Sequence, residues 1–282
     1  MTNKEKKVWF ITGASSGFGK AFTEYAIGQG FNVIVTARRM DILEQLRAAA
    51  PEQVEAIRMD VNKQEDIRYA VQQAISRFGR VDVLINNAGF GIVGAVEETP
   101  EQELRAQMET NFFGAAAVTK ALLPIFRDQR EGAIVNISSL GGQLSFAGFS
   151  AYSASKFALE GFSEALAGEL QPFGIKVLIV EPGSFRTELA GGAMKYMPAM
   201  EAYKDTVGKT REFAKEMHGT QEGDPYKAAA AIHKALDADH TPLRLQLGKD
   251  AVDAIRQHST ILLNDLAAWE AVALNTFIES NQ

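Results

Sequence analysis

Val8-Trp9-Phe10-Ile11-Thr12-Gly13-Ala14-Ser15-Ser16-Gly17-Phe18-Gly19-Lys20 is the stretch whose reading decides the fold. Its first part is a run of β-branched and aromatic residues without polar alternation, the pattern of a strand buried on both faces. Three glycines follow, at 13, 17 and 19, and a helical pattern then runs from Lys20 to Ile27. Glycine permits a tight turn and a close approach of backbone to a ligand. A helix N-terminus adds free N–H groups and the positive end of its dipole. Strand, glycine turn and helix in that order read as a dinucleotide-binding unit, with Gly13, Ser15, Ser16, Gly17, Phe18 and Gly19 as candidate contacts to the cofactor.

The same alternation continues outward from this stretch. Asn32 to Thr36, Glu55 to Met59, Val81 to Ile85, Ala133 to Ile137, Lys176 to Val180 and Leu243 to Leu247 read as further strands. Amphipathic stretches lie between them, such as Lys63 to Phe78, where Ile67, Val71, Ala74, Ile75 and Phe78 recur at helical spacing. Strand–helix repetition of this kind predicts an α/β fold, a single doubly wound (Rossmann) parallel seven-stranded sheet flanked by helices. One domain over 1–282 is expected, with 1–187 as cofactor and catalytic core. From Leu189 to Gly223 the pattern loosens around Gly191-Gly192, Met194, Met197, Met200 and Met217, so 188–223 is read as a substrate lid. Asp224-Pro225 opens another helix. Residues 249–282 form a helical extension with Ile255, Leu262, Leu263, Leu266, Trp269 and Leu274 as apolar members, expected to pack on its own domain or on a partner subunit.

Composition narrows the function. A chain of 282 residues with 46% hydrophobic content can bury a sizeable core, and a net charge of −6 leaves no basic excess for nucleic acid. There is no cysteine, which excludes disulfides and thiol nucleophiles, and the four histidines lack metal-ligand spacing, so no metal is expected. No apolar run approaches the roughly 18 residues of a membrane span, and the start of the chain lacks a signal-peptide pattern. A cytoplasmic setting, with no membrane partner, is the expectation. Acidic Asp265 and Glu270 argue against docking of the extension on an anionic surface.

Tyr152 and Lys156 stand four residues apart, so on a helix they share a face. Ser139 closes the fifth strand thirteen positions before Tyr152, and strand alternation turns its neighbour Ser138 the other way. Thr12-Gly-x-x-x-Gly-x-Gly, Asn86-Asn87-Ala88-Gly89, Ser139 and Tyr152-x-x-x-Lys156, in this order and spacing, resemble the short-chain dehydrogenase/reductase family over residues 8 to about 187.

The resemblance implies binding of NAD or NADP. Where NAD-preferring members carry an acid for the ribose 2′-OH, this chain has Ala37-Arg38-Arg39. An acid would repel a 2′-phosphate and a guanidinium would bind it, so NADP(H) is expected over NAD(H). The family pattern further implies that Asp60 and Val61 bracket the adenine and that Asn87, Ala88 and Gly89 pass close to the cofactor. Pro182, Gly183, Phe185 and Thr187 would hold the nicotinamide. It implies Asn111, Ser139, Tyr152 and Lys156 as the catalytic set, with Tyr152 and Lys156 also touching the cofactor.

Hydride arriving at a carbonyl carbon builds negative charge on oxygen, which needs a proton and a hydrogen-bond donor. Tyr152 would exchange that proton, with Lys156 as the nearby cation expected to lower its pKa of about 10. Ser139 would orient the substrate oxygen, and Asn111 would hold a water joining Lys156 to solvent. Phe90, Leu144, Phe149 and Met194 are candidate walls of an apolar pocket, which predicts a hydrophobic ketone, aldehyde or secondary alcohol as substrate. A homodimer or homotetramer is the expected assembly. The competing reading is a catalytically silent NADP-binding sensor, against which Ser139, Tyr152 and Lys156 all stand.

Overall fold

In a computed structural model the structure describes residues 6–189 and 191–278. Seven parallel strands form one sheet: β1 (Val8–Thr12), β2 (Asn32–Ala37), β3 (Val54–Arg58), β4 (Val83–Asn86), β6 (Gly132–Ile137), β7 (Ile175–Pro182) and β9 (Arg244–Leu247), in the order β3-β2-β1-β4-β6-β7-β9. The expected doubly wound sheet is therefore present, with each of its seven strands found within two residues of the expected ends. Strand order reverses between β1 and β4, whose carboxyl ends flank the crevice where this architecture binds ligands.

Strand alternation supplies both cores. Trp9 and Ile11 point into one layer with Phe22, Ala26, Val33, Val35, Leu43 and Ile232. Val8 and Phe10 point into the other with Ile34, Ile67, Leu84, Val118, Leu122 and Leu166. The first layer belongs to α1 (Gly17–Gly28), α2 (Asp41–Ala49) and α8 (Pro225–Asp237); the second to α3 (Gln64–Phe78), α5 (Ala115–Gln129) and α6 (Ser150–Leu170). A buried amide chain fixes the second layer: Asn86 Nδ2 donates to Thr119 Oγ1 at 2.9 Å and to Asn136 Oδ1 at 2.8 Å, and Asn136 Nδ2 donates to Ser163 Oγ at 2.7 Å. Because every member is buried, this chain sets α5 and α6 against the sheet in one register.

Three features were not expected from the sequence. α4 (Glu101–Met108) passes into a π-helical turn (Glu109–Gly114) before α5. The stretch 188–223 is structured rather than loose. Its β8 (Met194–Tyr196) pairs in parallel with β5 (Gly91–Val93), and α7 (Lys209–Glu216) follows. Arg211 pins α7 down: it ion-pairs with Glu98 and donates to the carbonyls of Met197 at 2.6 Å and Val93 at 3.3 Å.

The third is α9 (Lys249–Leu274), which leaves the domain, so that of the two expected packings the one on its own domain is not found. After Ala251 no residue of the helix is buried, and Leu262, Leu266 and Trp269 are 55%, 64% and 66% exposed. No helix among the described residues is long and apolar enough to cross a membrane.

Candidate active site

The glycine loop is built against the end of β4. Gly13 and Gly17 sit at positive φ, 67° and 51°, which favours glycine. A Cβ on Gly13 would lie 2.9 Å from Ala88 Cα, and one on Gly19 would lie 2.6 Å from Asn87 Nδ2. Asn87 holds this close approach, with Nδ2 donating to the carbonyls of Thr12 at 2.9 Å and Gly13 at 3.2 Å. In return Thr12 Oγ1 accepts from the backbone N–H of Asn87 and Ala88 at 2.9 and 3.0 Å. Ser16 starts α1 without a side-chain cap and no acid occupies the first turn, so the dipole end of the helix is open to an anion.

Other expected cofactor residues converge on this loop. A Cβ on Gly17 would stand 3.2 Å from Thr187 Cβ. Phe18 and Phe185 meet with ring centroids 5.1 Å apart. Pro182 and Gly183 close β7, where Gly183 N donates to Leu247 O at 2.9 Å. A cavity of about 310 Å³ opens beside the loop, lined by Gly17, Lys20, Thr187, Glu188 and Tyr226 among others. Arg38 and Arg39 are exposed at the end of β2 and form no ion pair or hydrogen bond among the described residues. Asp60 caps its own turn, accepting from Asn62 N at 3.1 Å, and Val61 is buried beneath Gly114.

Tyr152 and Lys156 lie one turn apart on the sheet-facing side of α6, both buried. Lys156 Nζ donates to the carbonyl of Ile137 at 2.8 Å and sits 5.7 Å from the centre of the Tyr152 ring. Burial lowers the ammonium to about 8, against an opposing pull from Glu160. The expected lowering of Tyr152 is not what this arrangement gives. Burial raises its pKa, and only a hydrogen bond with the Ser139 hydroxyl works the other way. The physical reason is the burial of the phenol, which disfavours its charged form more than the Ser139 hydroxyl favours it.

Ser139 stands where the reading put it, capping a 3-10 turn (Leu140–Gly142) by accepting from Gly141 N at 3.0 Å. Ser138, turned the other way, is buried without a side-chain partner. Asn111 lies in the π turn, a device that re-aims a side chain at functional sites. It accepts from Phe90 N at 3.1 Å and donates to Phe90 O at 3.0 Å and Ser155 Oγ at 3.1 Å, so it ties β5 to α6 beside Tyr152.

The four candidate pocket residues divide. Phe149 meets the Tyr152 ring edge-on at 6.2 Å, and Met194 lies over Gly91, which borders the same ring. Leu144 continues the turn after Ser139, half-buried. Phe90 packs on the small core of Ile92, Ala151 and Met197, with Lys195 Nζ 5.0 Å over its ring. Asn136, Ser163 and Glu181 escaped the sequence reading; Asn136, the one polar residue of β6, and Glu181, an acid following four apolar residues of β7, were the available signals.

A cofactor loop at the switch point of a parallel sheet, with a serine–tyrosine–lysine cluster at the carboxyl ends of the same strands, defines a nucleotide-dependent oxidoreductase. Residues 7–196 match the short chain dehydrogenase family, and the chain belongs to it. A short-chain dehydrogenase from Streptomyces avermitilis superposes with a TM-score of 0.91 at 54% identity, covering 96% of this chain and 100% of that one. An alcohol dehydrogenase from Thermococcus sibiricus, complexed with 5-hydroxy-NADP, gives 0.72 at 26% identity over 86% of this chain and 96% of that one. Among curated relatives, oxidoreductase BOA17 of Botryotinia fuckeliana is 39% identical across 95% of this chain and 98% of its own length. The 3-ketodihydrosphingosine reductase of Bacteroides thetaiotaomicron is 41% identical across 86% and 88%.

Proposed function

We propose that the protein is an NADP(H)-dependent carbonyl reductase or alcohol dehydrogenase acting on a hydrophobic ketone, aldehyde or secondary alcohol. The carrying observation is the convergence of the Tyr152 ring and the Ser139 hydroxyl at Gly141, where a Cβ would lie 3.3 Å and 3.4 Å from them, with the buried Lys156 ammonium 5.7 Å from the centre of the same ring. The dinucleotide fits the residues present. The cradle at Gly13 and Gly19 has no room for a Cβ, and two unpaired guanidiniums at Arg38 and Arg39 stand at the end of β2. Gly13, Ser15, Ser16, Gly17, Phe18 and Gly19 would hold the pyrophosphate side, Arg38 and Arg39 the 2′-phosphate, Asp60, Val61, Asn87, Ala88 and Gly89 the adenosine side. Pro182, Gly183, Phe185 and Thr187 would hold the nicotinamide, which supplies or accepts the hydride.

The chain's own residues handle the proton. Ser139 donates to the substrate oxygen and aims it at Tyr152, which gives up its proton as the oxygen gains charge and takes it back in the reverse direction. Lys156 stabilises the tyrosinate left behind. Asn111 keeps β5 and α6 at the spacing this needs. Phe149, Met194 and Leu144 form the apolar wall, Phe90 supports it, and 188–223 covers it as a lid. A relative named for a ketone substrate agrees with this class. The reading includes a cytoplasmic setting, in keeping with a chain free of cysteine, and a homodimer or homotetramer, in keeping with the uncovered apolar side chains of α9.

The test is NADPH oxidation followed by absorbance over a panel of carbonyl compounds graded in size and polarity. Turnover should favour apolar ketones and aldehydes and fall by roughly 10²–10⁴-fold in Tyr152→Phe. Turnover confined to small polar sugars or acyl-carrier thioesters, or equal rates in Tyr152→Phe, would overturn the reading. In Arg38→Ala/Arg39→Ala the KM for NADPH should rise about 10- to 100-fold, the loss of one or two charge-assisted hydrogen bonds. The KM for NADH should barely move; parallel changes for both nucleotides would remove the 2′-phosphate assignment.

A further inference from the structure

One turn beyond Lys156 on α6, the helix carries a second buried group. Glu160 is 4% exposed, and Glu181 on β7 is fully buried. They share donors: Gln143 Nε2 lies 3.1 Å from Glu160 Oε2 and 3.0 Å from Glu181 Oε1. Arg244 Nε lies 3.0 Å from Glu160 Oε2 and 3.5 Å from Glu181 Oε1. Gln246 Nε2 completes Glu181 at 2.5 Å, and the far nitrogen of Arg244 goes to exposed Glu164 at 2.7 Å. The charged groups facing Glu160 are thus Lys156 and Glu164 from α6, Glu181 from β7 and Arg244 from β9.

Arg244 is shared between two buried carboxylates while also serving Glu164. Burial first, and then the Glu160 charge, push Glu181 well above the usual carboxylate range. Positions four apart place Glu160 on the same helical face as Lys156. Burial of Lys156 disfavours its ammonium, and Glu160 opposes that effect.

We propose that Glu160 is a positioning residue for the reaction: its carboxylate, fixed by Gln143 and Arg244 one turn along α6 from Lys156, supports the buried Lys156 ammonium. The inference rests on Tyr152 and Lys156 being the working pair. It extends the site through the helix to β9, so that the last strand of the sheet contributes to the charge at Lys156.

The test reads the lysine directly. In protein labelled with ¹³C-lysine and free of cofactor, the Lys156 Cε resonance, assigned by its absence in Lys156→Arg, is titrated with pH. Removing a negative charge lowers the pKa of its neighbours, so Glu160→Gln should move the midpoint down by roughly one unit. Glu181→Gln leaves the Glu160 carboxylate in place, so the Lys156 midpoint should stay near that of the wild type. Glu160→Asp should restore most of the shift. Arg244→Gln, at the half-exposed edge of the cluster, removes the cation instead and should move the midpoint up; it keeps the test open if Glu160→Gln does not fold. In the active enzyme, the limb of kcat/KM against pH that reports loss of the Tyr152–Lys156 proton should follow the same directions. An unmoved Lys156 midpoint in folded Glu160→Gln, or equal shifts in Glu160→Gln and Glu181→Gln, would refute the inference. The NADPH assay decides the underlying reading separately, since the lysine titration needs neither cofactor nor turnover.

Discussion

Lys156→Met is expected to cut turnover by at least about 10²-fold and, at pH 7, to raise the melting temperature by several degrees. The ammonium is buried and pushed down to about 8 from an ordinary value of about 10.4. For a base whose folded pKa is depressed, the charged form is penalised in the native state. The penalty is complete below pH 8 and is relieved as pH rises toward 10.5. A depression of that size corresponds to about 3 kcal/mol, with the favourable pull of Glu160 already included. Methionine keeps the apolar stem and drops the charge, but it leaves the Ile137 carbonyl without its donor, a loss of about 1 kcal/mol. The net gain is about 2 kcal/mol. Melting curves at pH 7 and pH 10 check the sign, because the advantage should shrink toward the higher pH. A lower melting temperature at pH 7 would show that the charge is not strained where it lies.

Gly19→Ala should have the opposite outcome on stability and should also abolish cofactor binding. In most helices alanine improves on glycine by up to about 1 kcal/mol. Here the new Cβ would run into the Gly13 carbonyl, which is backbone, and stand 2.6 Å from Asn87 Nδ2, a side-chain tip held in place by its bonds to Thr12 and Gly13. Relief requires the Gly13 turn or the end of β4 to shift, which breaks the Asn87 bonds to Thr12 and Gly13. Overpacking of this kind costs about 1–3 kcal/mol, and it deforms the surface against which the pyrophosphate would lie. Gly28→Ala, where a Cβ meets nothing within 4 Å, is the matched control and should be neutral or stabilising. Thermal melts and nucleotide titration by fluorescence read both effects. Equal behaviour of the two variants would mean that the tight approach at Gly19 is not maintained in solution.

What the sequence reveals and what it hides follow from the range of the forces involved. The seven strands were legible because a parallel sheet covered on both faces demands uninterrupted apolar runs such as Val177 to Val180, and few other structures do. Ser139, Tyr152 and Lys156 were legible because their spacing is local and their chemistry restrictive. The β5–β8 ladder was not: three-residue strands around Gly91 and Met194 carry no periodicity and exist because Glu98 and Arg211 clamp their surroundings. The π turn at Asn111 is invisible to a helical count, since one extra residue leaves the apolar stripe intact on either side. The rise in the Tyr152 pKa comes from burial of the phenol, which spacing along a helix does not specify. The projection of α9 was hidden for a similar reason, as apolar residues at helical spacing show that a face can be buried but not what buries it.

The clamp between Glu98 and Arg211 has a consequence for how this protein can change over generations. Both charges are buried, so losing either one strands the other, at about 3–5 kcal/mol, a large part of the margin by which most domains stay folded. Two such positions cannot drift independently. The acid and the base must be inherited together or exchanged together, and with them the backbone they hold at Val93, Met197 and Met200.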